Sequence, residues 1–581
     1  MERRVLLAIT LSFAVLYVYQ AFLVPPPPAD SGNRPAATAL TLPVRAGTAP
    51  GNLTAAAPTA VLLTAPVVGD TTEREIVLET AHVRGTFTNR GARLRHWVLK
   101  NYRNERGEPI NLIPEVTSPD QALPFALRVD DPAVTARLND TPYQVTGPQD
   151  QTISFALETT EGLKVRKSFT LDPQTFVVSF SASVTLNGQE LNPTVAWGPG
   201  MTDEIARTTQ GSFLSPSYVY QAQAIYHTGS DVEREAASAI PGGTIHEGSY
   251  RWAGIDDHYF ISAVLQPPGR LRVEYQPVTI PTPASPPTLG RYMTYALRFN
   301  AAPENVRFYV GPKQLNVMRD IDPEFTRAIY FGMFAVLAAP LLEALRWVHG
   351  YVGDWGWSII VLTILINLVM FPLRHKSVVS MRKMQEIQPQ MKAIQERYAK
   401  YKITDPERQK MNSEVMDLYR ARGVNPASGC VPTLLTLPFL FAFYAMLGQA
   451  IEIRGERFWW IPDLAVQDPL FLMPALMGVS MFWQQKMTPT SADPTQQKIM
   501  MFMPVMITVT MLFAPSGLVI YWLVSNIWTI GQQYFTNWLI GPTRSAAAAV
   551  KKSGLAKVGH PFDKAQGKPP DIVVPSTRGK K

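Results

Sequence analysis

The spacing of apolar and polar positions divides this chain into stretches with different periods. Residues 5–24 form a mostly apolar run behind Arg3 and Arg4. The run is long enough for a ~30 Å hydrocarbon core and lacks a small-residue cleavage site, so residues 1–24 read as an uncleaved anchor rather than a signal peptide. Residues 25–71 open on four prolines and continue in Pro, Ala and Thr, a tether composition that cannot bury a core. From 72 to 323 the period changes to two. Short β-branched and aromatic segments, among them LKVRKSFTL and RYMTYALRF, alternate with turn residues, which predicts an all-β sandwich domain.

Beyond residue 350 the apolar runs lengthen. Span candidates lie at 357–373, 431–450, 469–485, 499–514 and 517–538, the first expected to end at Pro372. With the anchor they give an α-helical polytopic membrane domain of six transmembrane helices, five of them in a core over 350–540. The segment 324–349 sets Leu341, Leu345 and Val348 against Glu343 and Arg346. It is read as an amphipathic helix lying at the membrane interface.

Charge fixes an orientation for these spans. Loop 374–430 holds twelve basic and six acidic residues, loop 451–468 two and four, and the tail 541–581 nine and two. Six spans leave both basic regions and both termini in the cytoplasm and the β domain outside, in agreement with the positive-inside rule. A seventh span through 324–349 would reverse the downstream spans. Cys430 is the only cysteine, so no intrachain disulfide forms.

Loop 374–430 has order of its own. Met384, Ile387, Met391, Ile394 and Tyr398 step by three and four, a heptad seam. Thr404 or Asp405 before Pro406 and Glu407 marks a second helix start, and Gly423 its end. A helical hairpin over 374–423 follows, with arms of about 25 and 16 residues. Its cations Arg374, Lys376, Arg382, Lys383, Lys392 and Arg397 are candidate docking groups for an anionic partner, the ribosome or lipid headgroups.

Candidate chemistry is sparse. The cluster Asp256-Asp257-His258 is read as a turn and cap, since no nucleophile elbow or phosphate loop stands near it. The five histidines of the β domain have no metal spacing. The span cores carry no Asp, Glu, Lys or Arg but do carry Thr363, Asn367, Ser525, Asn526, Thr529 and Gln532. Such groups serve helix–helix hydrogen bonds or line a mildly hydrophilic cavity. Met473, Met477 and Met481 share a stripe, for which ordinary packing is the default reading.

Several stretches together resemble the YidC/Oxa/Alb membrane protein insertases, in the type with a large periplasmic domain. These are VGDWGWSIIVLT, MFPL, VNPASGCVPTLLTLPFLFAFYAML, DPTQQKIMMFMPV and PSGLVIYWLVSNIWTIGQQ. The resemblance implies a periplasmic β-sandwich and a five-helix core enclosing a polar groove open to cytoplasm and lipid. It implies inner-membrane location and integral membrane proteins as clients, with action alone or beside the Sec translocon. It implies no enzyme activity, cofactor, metal or DNA. Thr363 matches a groove position, and Tyr521 and Trp522 an aromatic pair facing it; Asn367 and Ser525 complete the candidate lining. The family usually carries an arginine five residues before the proline of its M-[FY]-P-L motif, where this chain has Asn367. The competing reading is a polytopic transporter with a periplasmic sugar-binding domain, and the absence of intramembrane charge counts against it. A sugar-directed envelope enzyme would need an acid/base pair that the sequence does not offer.

Overall fold

The computed structural model describes residues 66–104, 107–114, 122–201, 222–281, 289–401, 405–423, 431–487 and 494–540, with the side chains of 281, 289–290, 377, 381–382, 385, 431–437, 494–499, 537 and 540 excepted. The anchor, most of the tether and the basic tail lie outside the described residues. The described residues form two compact units. One contains residues up to 360 with 440–474 and 508–520; the other contains 361–439, 475–507 and 521 onward.

The first unit holds the β-sandwich. Its largest sheet is antiparallel, in the order Val232–Ala236, Gln223–His227, Trp252–Asp256, Phe260–Leu265, Val306–Pro312, Val177–Leu186, Leu163–Leu171, Thr152–Glu158, Gln144–Gln149, with Gln189–Leu191 also paired to Val177–Leu186. A five-stranded sheet runs Thr244–Gly248, Leu271–Pro281, Leu289–Phe299, Thr194–Trp197, Ala126–Arg128, and a four-stranded sheet covers 75–111. Phe125, Phe169, Phe180, Trp197 and Phe308 meet in the core, with ring centroids 5.0–6.4 Å apart. Such aromatic packing adds to the area term.

The strand Leu163–Leu171 shows what strict alternation does. Leu163, Val165, Phe169 and Leu171 are buried on one face, and so is Lys167, at 1% exposure. Its Nζ donates to the carbonyls of Gly91 (2.6 Å), Ala92 (3.2 Å) and Phe125 (2.9 Å). Burial holds its amine well below the ordinary lysine value.

Nine helices occur among the described residues. α1 (Pro132–Asp140) is a short helix capped by Asp131, and α2 (Leu315–Ile321) follows the last strand. The expected helix over 324–349 is helical only in part: 3-10 turns at Pro323–Ala328 and Gly332–Phe334 precede α3 (Ala335–Val352). Gly332, at φ 61°, sits at the break, in a left-handed conformation that a helix cannot continue. Gly353, also left-handed, ends α3, and Asp354 accepts from the amide of Trp357 to start the next helix.

That helix, α4 (Trp355–Arg397), corrects the expected stop at Pro372. It runs 43 residues with Pro372 and Pro389 inside it, so the first span and the first hairpin arm are one rod. A proline removes one backbone bond, and neighbouring groups absorb the loss. α5 (Pro406–Ala421) is capped by Asp405, with Pro406 in its first turn, and the left-handed Gly423 follows it. α6 (Val431–Gln449), α7 (Leu472–Met487), α8 (Pro494–Met511) and α9 (Ser516–Ile540) overlap the remaining four expected spans. By length and composition Trp355–Ser380 suffices to cross a bilayer, and Pro438–Gln449 and Met500–Met511 are shorter apolar pieces.

A polar node between two apolar helices

The second unit contains the candidate site. On α9, Ser525, Thr529, Gln532 and Thr536 recur at steps of four, three and four, which places them on one helical face. The facing residues of α4 are Asn367, Phe371, Arg374 and His375. The Asn367 amide donates to the Thr363 carbonyl (2.8 Å) and more weakly to Ser525 Oγ (3.4 Å). The Gln532 amide donates to the Phe371 carbonyl (3.4 Å), and His375 Nδ1 pairs with Thr536 Oγ1 (3.2 Å).

The centre of this ladder is Arg374. Its Nη1 donates to Asn367 Oδ1 at 2.7 Å and to Thr529 Oγ1 at 3.1 Å. Seven residues separate Arg374 from Asn367, about 10 Å of helix rise. The long side chain folds back along its own helix to bring the charge beside the amide. Asn367 is 2% exposed and Thr363 is fully buried. Both are buried, and the Asn367 amide group is bonded to its own helix and to Ser525 across the contact.

α9 uses a second face toward α7. The Asn526 amide donates to Ser480 Oγ (3.0 Å) and the Gln533 amide to the Met487 carbonyl (2.6 Å). α9 is thus a polar spine with two hydrogen-bonded sides. Tyr521 is buried on it, and Trp522 and Ser525 are half-buried. The exposed residues Ile364, Leu365, Leu368 and Val369 of α4 and Ile527 and Phe535 of α9 are apolar, as lipid contact requires. Met473 and Met477 are buried and fill space.

Of the heptad residues, Met391 meets Tyr419 and Tyr398 meets Glu414 of the second arm. Ile387 and Ile394 are buried, and Tyr398 donates to Glu414 (2.7 Å). Of the expected docking cations, Arg374 points into the node instead. Arg397 is exposed but bonded to Glu414 (2.9 Å), a contact within the hairpin. Lys376, Lys383 and Lys392 are exposed, and Arg382 lies outside the described side chains. The spacing of Ser525, Thr529, Gln532 and Thr536 was readable as a face. Arg374 as the node's cation was not, because its position after Pro372 placed it beyond the expected end of the helix.

Comparison with known proteins covers the described region almost end to end. The family model of the YidC periplasmic domain matches residues 75–344, and that of the 60Kd inner membrane protein matches 347–541. The chain is 33% identical over 575 residues to the membrane protein insertase YidC of Syntrophus aciditrophicus, covering 92% of this chain and 99% of that one. It is 32% identical over 570 residues to that of Geobacter metallireducens, covering 95% and 100%. It is also similar to the crystal structure of an active YidC insertase with its first transmembrane domain resolved, at 17% identity and a TM-score of 0.34, covering 81% of this chain and 94% of that one.

Proposed function

Because this chain belongs to the YidC family of membrane protein insertases, we propose that it passes client segments into the bilayer along the polar node between α4 and α9. Family membership makes it an inner-membrane insertase and chaperone with a periplasmic β-sandwich, acting on nascent membrane proteins without enzymatic chemistry. The proposal concerns how its residues perform that work.

A client's polar flank must cross a medium where each unsatisfied polar group costs several kcal/mol. The client's apolar span gains on reaching lipid, so only the path needs lowering. α4 and α9 supply that path as side-chain donors and acceptors that can trade partners. The observation that carries this reading is the Arg374 guanidinium held by Asn367 Oδ1 and Thr529 Oγ1. The family's usual groove arginine is replaced here by Asn367, and Arg374 returns the charge to the same level from two turns further along. The cation attracts acidic client flanks and keeps water nearby. The half-buried Trp522 offers a flat surface for the client's apolar face, backed by the buried Tyr521.

Six spans with both termini cytoplasmic complete the arrangement, with the α4–α5 hairpin facing the ribosome through Lys376, Lys383 and Lys392. Cooperation with the Sec translocon and lipid contact by the basic tail belong to the same reading. The test is complementation in cells depleted of their own insertase, followed by insertion of a small two-span client. Normal expression without insertion would refute the function. Normal insertion by Arg374→Gln would refute the node.

A further inference from the structure

The cluster Asp256-Asp257-His258, left without a role by the insertase chemistry, lies in a turn at the end of the hairpin Trp252–Asp256/Phe260–Leu265. The turn is braced from within. Asp257 Oδ1 accepts from the amides of Tyr259 (3.0 Å) and Phe260 (2.7 Å). The buried Lys313 pairs with the buried Asp256 carboxylate at 2.9 Å, and its amide donates to the Tyr259 carbonyl. A turn held by one buried ion pair and two side-chain caps is a rigid platform.

The platform carries a second segment of the same unit, far away in sequence. His258 Nε2 lies 2.5 Å from the carbonyl of Gly448, near the end of α6. A carbonyl only accepts, so Nε2 carries the proton in this pair. Six residues later the Arg454 guanidinium sits 5.1 Å from the Tyr259 ring centre and 5.2 Å from that of Phe260. Between the two contacts the 3-10 turn Ile451–Ile453 is pinned, with Ile451 and Ile453 buried.

We propose that the turn 256–260 is a latch that grips segment 448–454, so that the sandwich restrains the end of α6 directly and not only through the α2–α3 connection. The grip combines one directional hydrogen bond with one cation over two rings. Both are specific in geometry and modest in strength, which suits a contact that must hold and release. Resting on the insertase reading, the latch keeps the 440–449 part of α6 in place while a client passes.

The test uses the full-length chain in lipid nanodiscs. Arg454→Met removes the cation, Tyr259→Leu removes one of its two rings, and His258→Ala removes the donor. Each should speed amide exchange about fivefold in both 257–260 and 448–454, the factor carried by one such contact. Exchange in the strand Leu163–Leu171 should stay unchanged, which separates release of the latch from unfolding. The pair Tyr259→Leu/Arg454→Met should be non-additive. A short bis-maleimide should join His258→Cys to Gly448→Cys on a Cys430→Ser background. Exchange rising only in the mutated segment, additive effects, or no cross-link despite labelling of each single cysteine would overturn the latch. Released variants should insert the two-span client about threefold more slowly. Insertion at the wild-type rate with the latch released would overturn its restraining role. Absence of insertion by the wild type would instead refute the functional reading and leave the latch intact.

Discussion

Lys167 in the sandwich and Arg374 in the helical unit are both cations drawn into apolar surroundings, and they are satisfied in opposite ways. Lys167 donates to three backbone carbonyls from loop segments beside its strand. Those acceptors belong to the fold and cannot leave. Arg374 donates to a side-chain amide and a hydroxyl. Each helical carbonyl already accepts one backbone amide, and the Arg374 guanidinium takes its partners from side chains instead, which can rotate away. The same requirement, to pair every buried donor, gives a fixed strut in one region and an exchangeable contact in the other.

The largest effect that could break this contrast is at the strut. Lys167→Met leaves three buried carbonyls without their donor and should cost about 3 kcal/mol of sandwich stability, read as lost exchange protection in the strand Leu163–Leu171. Insertion per folded molecule should not change. A drop in specific insertion with protection intact would make Lys167 functional and end the distinction.

Next in size is the exchangeable contact. Arg374→Gln should lower client insertion about tenfold, the scale of one charge-assisted hydrogen bond, with Arg374→Lys recovering part of it. Asn367→Leu should impair insertion more than Thr508→Leu, a threonine change in α8, since the first removes an acceptor of the guanidinium. Asn367→Arg alone should be harmful, because it sets two cations side by side. The swap Asn367→Arg/Arg374→Asn should restore insertion, and if it does not, the level of the charge is not what the site requires.

The smallest effect concerns His258, whose burial pushes its imidazole down to about 3 while Lys313 and Arg454 face it as like charges. The native ring therefore stays neutral while the unfolded ring protonates below pH ~6.5. Stability of the latched segment is complete above that value and declines as pH falls toward 3. Burial raises the carboxyl of Glu452, whose contribution runs the other way. The difference between wild type and His258→Gln isolates the histidine. Protection in 448–454, taken relative to the intrinsic exchange rate at each pH, should fall between pH 7 and 5 more in the wild type than in His258→Gln; identical profiles would remove the imidazole from the latch.

Strands with strong alternation were readable as elements before any contact was known. Short or polar strands such as Val232–Ala236 and Thr244–Gly248 were missed, because pairing and not pattern holds them. Helix α1 was missed too, although Asp131 before Pro132 is a cap signal. The hairpin arms were legible from the heptad and from the Asp405–Pro406 start. The continuity of α4 through Pro372 was not, since a proline's cost is local and the packing that absorbs it is not.

By itself the sequence determined the order of regions: period-two segments, then long apolar runs, then a basic end. It did so because period and charge are local properties that solvent and bilayer read directly. It also supplied the residue types of the node and of the turn 256–260. Only the tertiary structure decided that Arg374 folds back onto Asn367, that Lys167 faces inward onto three carbonyls, and that His258 meets Gly448 across 190 residues. Each of these is a donor choosing among acceptors that period and charge do not specify, and that choice is settled by which buried groups would otherwise be left unpaired.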